Sequence, residues 1–171
     1  MIVGKDYIFV ENPKTASKSV REVLLAAGGV EHGHQHFSIR EFDSLQKKRL
    51  RAVVVRNPFD RLVSGWHYAT KGEGDFNAWV MGLDWVVAPG IDFKRTSQLH
   101  WTCQCNFVMR FEELQSGVSK LSERIGIEKQ ELPHLHKSQD RKAYQEYYNE
   151  KAKAAVSDRF AMDLLKLDYR F

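Results

Sequence analysis

Twice in this chain of 171 residues a short apolar run gives way, through a polar junction, to a segment whose apolar residues recur at helical spacing. The first run covers residues 7–10 and the second, Ala52-Val53-Val54-Val55, is β-branched. Short runs that are apolar without alternation suit strands buried on both faces, as parallel strands are. After the first comes a helix expected over residues 19–27, with Val20, Val23, Leu24 and Ala27 toward the core and Gly28-Gly29 as its stop. The second passes through Arg56-Asn57 into a helix that Pro58 opens, with Asn57 as N-cap and Asp60 in the capping-box position. A third strand is read over residues 106–111, a helix over 114–125, and a further helix over the last third, with Val156, Phe160, Leu164 and Leu165 toward the core. This alternation predicts an α/β chain: a central parallel sheet flanked by helices, in one domain spanning residues 1–171.

Length and composition bound the function. At 43% hydrophobic residues the chain can bury about two-thirds of its unfolded surface, so folding requires neither disulfides nor metal. The 26 basic and 22 acidic residues leave a net charge of +4, and the lysines and arginines are scattered rather than gathered in a tract. That balance fits a site for a small polyanion and argues against a nucleic-acid surface. Cys103 and Cys105, one residue apart, match no metal-ligand or disulfide framework and are expected to be idle thiols. No apolar stretch reaches membrane-spanning length and the first residues have no signal-peptide layout, so the expectation is a complete, soluble, cytoplasmic protein. Residues 72–89, with Trp79 and Trp85, read either as a substrate-facing insertion or as a packed irregular segment.

The chemistry concentrates at the two junctions. In open α/β sheets, ligands gather at the carboxyl ends of strands, where both junctions fall. At the first, Pro13-Lys14-Thr15-Ala16-Ser17-Lys18-Ser19 places three hydroxyls and two lysines where a helix begins. The leading N–H groups of a helix have no partner within it and carry the positive end of its dipole, so they accept phosphate well. Lys14 opens the loop and no Gly-Lys-Ser/Thr follows, which counts against a magnesium-ATP enzyme of the P-loop kinase type. At the second junction Arg56 ends a strand and Ser64 lies on the following helix; the alternative for Arg56 is an ion pair with Asp60.

These residues resemble the sulfotransferases that use 3′-phosphoadenosine 5′-phosphosulfate (PAPS), in particular the carbohydrate group with heparan 2-O-sulfotransferase. "PKTASKS" at 13–19 is similar to that family's 5′-phosphosulfate loop, "VVVRNPFDRLVSGWHY" at 53–68 to its 3′-phosphate motif, and "MRFEEL" and the segment from 132 to the end to its closing pattern. The likeness runs nearly end to end and implies a P-loop-like fold. Carried across, it implies that Lys14, Thr15, Ala16, Ser17, Lys18 and Ser19 hold the 5′-phosphosulfate and that Arg56 and Ser64 hold the 3′-phosphate. Ala16-Ser17 stands where many members have two glycines, and Lys18 where a threonine is usual, so Lys18 either strengthens anion binding or points away.

His32, His34 and His36 alternate between the first helix and the second parallel strand. On an extended segment they would share a face, as a metal site begins, but no carboxylate or cysteine pattern completes one. The resemblance implies instead a general base. Aligning His-Gly-His selects His34; matching "HFSIREF" to the residues after the family's base selects His36. A histidine near its ordinary pKa can take the acceptor hydroxyl's proton during in-line transfer, while Lys14 stabilises charge on the departing phosphate oxygen. The sulfuryl group carries less charge than a phosphoryl group, so fixed cations are expected to serve without a metal. The acceptor class implied is a carbohydrate or small metabolite, and Trp66, His67, Tyr68, Trp79, Trp85 and Trp101 are either stacking surface for it or core. A nucleotide-binding module that has lost transfer is the non-enzymatic alternative. His36→Ala is expected to abolish transfer and spare binding of adenosine 3′,5′-bisphosphate (PAP); turnover by this variant with loss in His34→Ala would select the other register.

Overall fold

The computed structural model describes residues 1–33, 49–83, 96–133 and 141–171. They divide into two compact units, Met1–Val55 with Gln98–His136, and Arg56–Ser97 with Lys137–Phe171.

The first unit holds the sheet. Strands β1 (Ile2–Val3), β2 (Tyr7–Val10), β3 (Val30–Glu31), β4 (Leu50–Val55) and β5 (Phe107–Arg110) lie in the order β3-β1-β2-β4-β5. β2, β4 and β5 are parallel, with Tyr7 opposite Leu50, Val10 opposite Val53 and Val55 opposite Arg110. The sheet is mixed rather than wholly parallel, because β1 runs antiparallel to both β2 and β3. The first ten residues are thus a hairpin, turned at Gly4, whose N–H donates to the carbonyl of Tyr7 at 3.0 Å.

Both faces of β2 and of Ala52–Val55 in β4 are covered, which is why these runs lack alternation, whereas Val108 of β5 is exposed. On one face Phe9, Ala52, Val54 and Met109 pack with Val20, Val23 and Leu24 of α1 (Ser17–Ala26) and with Val118 and Leu121 of α5 (Leu114–Ile125). On the other, Ile8, Val10 and Val53 pack with Trp101 of the short helix α4 (Leu99–Thr102). α1 ends at Ala26, not Ala27: the chain turns left-handed at Gly28 (φ 84°), whose N–H donates to Leu25, while that of Gly29 donates to Leu24. Ala27 is therefore a cap and exposed, contrary to its expected place in the core. The third strand is shorter than expected because Phe111–Glu113 forms a 3-10 turn leading into α5.

The second unit is helical: α2 (Pro58–Thr70), α3 (Phe76–Met81), a 3-10 turn at Tyr144–Tyr147, α6 (Glu150–Arg159) and α7 (Ala161–Lys166). Its core joins Phe59, Leu62, Val63 and Trp66 of α2 to Phe76 and Val80 of α3 and to Ala152, Val156 and Phe160. The last third is two helices broken at Phe160 rather than one, and Leu165, expected inside, is 72% exposed. Residues 72–83 contain a helix missed in the sequence, although Asp75 caps it through Asn77 and Ala78 N–H groups, an ordinary start signal. Trp85 lies outside the described residues.

Gly4 has no room for a side chain: a Cβ there would stand 2.0 Å from the buried Tyr7 ring. Gly4→Ala is expected to cost about 1–3 kcal/mol through overpacking. An unchanged urea midpoint would show that the hairpin yields freely.

Candidate active site

The loop after β2 begins with buried polar residues. Glu11 is fully buried and lies 3.4 Å from Arg21 Nη1 and 3.2 Å from the terminal ammonium of Met1; Arg21 also pairs with Glu31. Asn12, equally buried, donates from Nδ2 to the Val54 carbonyl at 2.9 Å and to Gln98 Oε1 at 3.1 Å. Its own carbonyl accepts the Thr15 hydroxyl at 2.8 Å.

The chain then turns left-handed at two residues that are not glycine, Lys14 (φ 65°) and Ala16 (φ 60°), with Thr15 between them outside that region. Each such residue costs on the order of 1–3 kcal/mol and persists only where its surroundings impose it. Successive N–H groups in a turn that combines right- and left-handed residues can form a concave anion site. Ala16 is also the N-cap of α1, and its methyl offers no capping bond; the first turn holds no acidic residue. A helix start is ordinarily closed by a side-chain oxygen or an acidic neighbour. Here the dipole's positive end has neither. Thr15, Ser17 and Ser19 are buried around it, Lys14 is half-buried, and Lys18 is exposed.

The second junction lies in the helical unit. Asn57 caps α2 as expected, its Oδ1 accepting the N–H of Phe59 at 3.0 Å, while Nδ2 donates to the carbonyl of Arg170 at 2.6 Å and to Tyr144 Oη at 3.1 Å. Asp60 does not close a capping box. Its Oδ2 accepts Arg56 Nε at 2.6 Å and its Oδ1 is engaged by Arg141, which also donates to the Asp60 carbonyl at 3.0 Å. The ion pair foreseen as the alternative role of Arg56 is therefore present. It fixes one edge of a guanidinium that is only 5% exposed. Two guanidiniums, those of Arg56 and Arg141, thus meet one carboxylate. Ser64, two turns along α2, is half-buried. Sequence reasoning did not select Arg141, which is 81 residues from Asp60 and carries no local signal.

The thiols of Cys103 and Cys105 form no disulfide and donate to the carbonyls of His100 and Trp101; burial, then the neighbouring Cys103, pushes the Cys105 thiol up to about 12. That is the signature of an unreactive thiol. Trp66 and Trp101 are core residues, Trp79 packs against the helical core, and Tyr68 is exposed. His67 sits among the rings of Trp66 and Tyr147, with Nε2 3.0 Å from the Tyr147 hydroxyl, and burial followed by nearby Arg141 lowers its pKa. His34 and His36 lie outside the described residues, and His32, whose N–H donates to the Met1 carbonyl, is exposed. Among the described residues no group of three metal-ligating side chains gathers, and no helix is long and apolar enough to cross a membrane.

A family model described as "Sulfotransferase family" matches residues 7–170, which takes in both junctions and nearly the whole chain. The protein belongs to the sulfotransferase family, whose members are transferases of sulfuryl groups. No curated protein and no solved structure matches it.

Breaking a buried ion pair by removing one partner costs about 3–5 kcal/mol, because the other charge stays behind unpaired. Asp60→Asn is expected to lose about 3 kcal/mol of stability, toward the lower end because the carboxylate is partly exposed. A denaturation midpoint equal to that of the parent would remove Asp60 as the organiser of the two arginines.

Proposed function

We propose that this sulfotransferase takes its sulfuryl group from PAPS and delivers it, without a metal, to a hydroxyl of a carbohydrate or small metabolite. The observation that carries this reading is the start of α1, a ten-residue helix with no capping side chain, entered through left-handed Lys14 and Ala16 and ringed by buried hydroxyls. Such a start suits the doubly charged end of a nucleotide better than a neutral ligand. In this reading Lys14, the amides of residues 15–19 and the hydroxyls of Ser17 and Ser19 receive the 5′-phosphosulfate, Thr15 contributes its amide while its hydroxyl stays on the Asn12 carbonyl, and exposed Lys18 adds charge at the rim. Arg56, steadied by Asp60, receives the 3′-phosphate together with Ser64.

PAPS, when bound, supplies a sulfuryl group on a good phosphate leaving group. Lys14 stabilises negative charge on the bridging oxygen. His36, or His34 in the alternative register, takes the proton of the acceptor hydroxyl.

Thermal unfolding with PAP, compared with ATP and Mg²⁺, tests the donor. PAP at 100 times its dissociation constant is expected to add about 2.7 kcal/mol of stability. Stabilisation by magnesium-ATP alone would replace the sulfotransfer reading with a kinase-like one, and PAP binding without any turnover would leave a binding module. A charge-assisted hydrogen bond is worth about 1.5–3 kcal/mol, so Arg56→Ala is expected to weaken PAP about ten- to a hundredfold by calorimetric titration. Parental affinity would remove Arg56 from the nucleotide site.

A further inference from the structure

The loop that receives the donor is held by a residue its motif does not include. We propose that Asn12 is a positioning residue for the 5′-phosphosulfate loop, an inference that rests on the nucleotide reading of residues 14–19.

Asn12 is fully buried, and a buried carboxamide is tolerated only where it is hydrogen-bonded. The backbone pairing of β2 with β4 ends at Val10 opposite Val53. Beyond that point the Asn12 side chain continues the attachment, donating from Nδ2 to the Val54 carbonyl at 2.9 Å and to Gln98 Oε1 at 3.1 Å. A carbonyl can only accept, so the Val54 contact fixes which end of the carboxamide is the amine. The main chain of the same residue holds the loop from the other side, its carbonyl accepting the Thr15 hydroxyl at 2.8 Å. One residue thus ties the sheet to the loop immediately ahead of the two left-handed positions, Lys14 and Ala16.

The remaining atom of the carboxamide separates positioning from packing. Oδ1 is buried and meets no donor in the described structure. An unmet buried acceptor is destabilising. An apolar residue of similar size would remove that penalty at a site where shape alone mattered. What it could not supply is the pair of donors that fixes the loop to the end of β4 and to Gln98 at the start of α4. The geometry therefore favours Asn12 for the shape it imposes on residues 14–19 rather than for the stability of the sheet.

Two isosterically graded variants test this. Asn12→Asp keeps the shape and replaces the donating amine with an acceptor against the Val54 carbonyl and Gln98; Asn12→Ala removes the group. In the ligand-free protein, amide hydrogen exchange at residues 15–19 is expected to accelerate about tenfold or more in both, with β4 and α5 amides accelerating less. PAP affinity should fall by about tenfold or more, since a loop that must be ordered on binding loses preorganisation. Leu121→Ala, a core change in α5, is expected to lower stability while leaving PAP affinity at the parental value. If the Asn12 variants do not fold, Gln98→Leu, which removes one of the two acceptors, should give a smaller acceleration at the same amides. Parental exchange at residues 15–19 in the folded variants, or in Gln98→Leu, overturns the proposal. Failure of the parent protein to bind PAP would overturn the donor reading instead, and the exchange measurement would still decide whether Asn12 holds the loop.

Discussion

The parallel pairing of β2 with β4 is the constraint on which the sheet unit depends. It brings the carboxyl ends of two strands side by side, and each of those ends runs into one of the two polar junctions. A slip of one residue would exchange faces along the whole strand. Hydrophobicity alone opposes such a slip weakly here, because both faces are apolar: Phe9, Ala52 and Val54 on one side, Ile8, Val10 and Val53 on the other. What distinguishes the faces is volume, since one meets the aliphatic rows of α1 and α5 and the other meets the single large ring of Trp101. The bond from Asn12 to the Val54 carbonyl adds a polar constraint to the same register.

The loop shows an opposite economy. Left-handed Lys14 and Ala16 are locally unfavourable, and α1 starts without the capping oxygen that would have offset its orphan donors. Both losses fall within three residues of each other, at the amino end of a helix whose other end is closed conventionally by Gly28. Local rules that fail together at one place, and hold elsewhere in the same helix, mark a position shaped for something other than stability.

Much of this was legible in the sequence. The β-branched run before Arg56, the Asn57-Pro58 helix start, the limits of α5 and the Gly28 stop each follow from a rule that acts within a few residues, and each is found. The losses come from contacts between distant segments. Leu165, expected inside with Leu164, faces solvent, in a separate helix that begins after Phe160, where neither glycine nor proline gives warning. Arg141 has no motif of its own and acquires meaning only when folding sets it against Asp60. The hairpin at the start was hidden because Ile2-Val3 is too short for any periodicity, and its evidence is the glycine that the Tyr7 ring covers.

Asp60 shows how one residue type can be right in sequence and different in role. In a capping box its carboxylate would turn back to the backbone N–H of Asn57 at the helix start. Instead the cap is completed by Asn57 alone, whose other end is tied to Arg170 and Tyr144, and this frees both carboxylate oxygens of Asp60 for guanidiniums. Each oxygen then orients a different arginine.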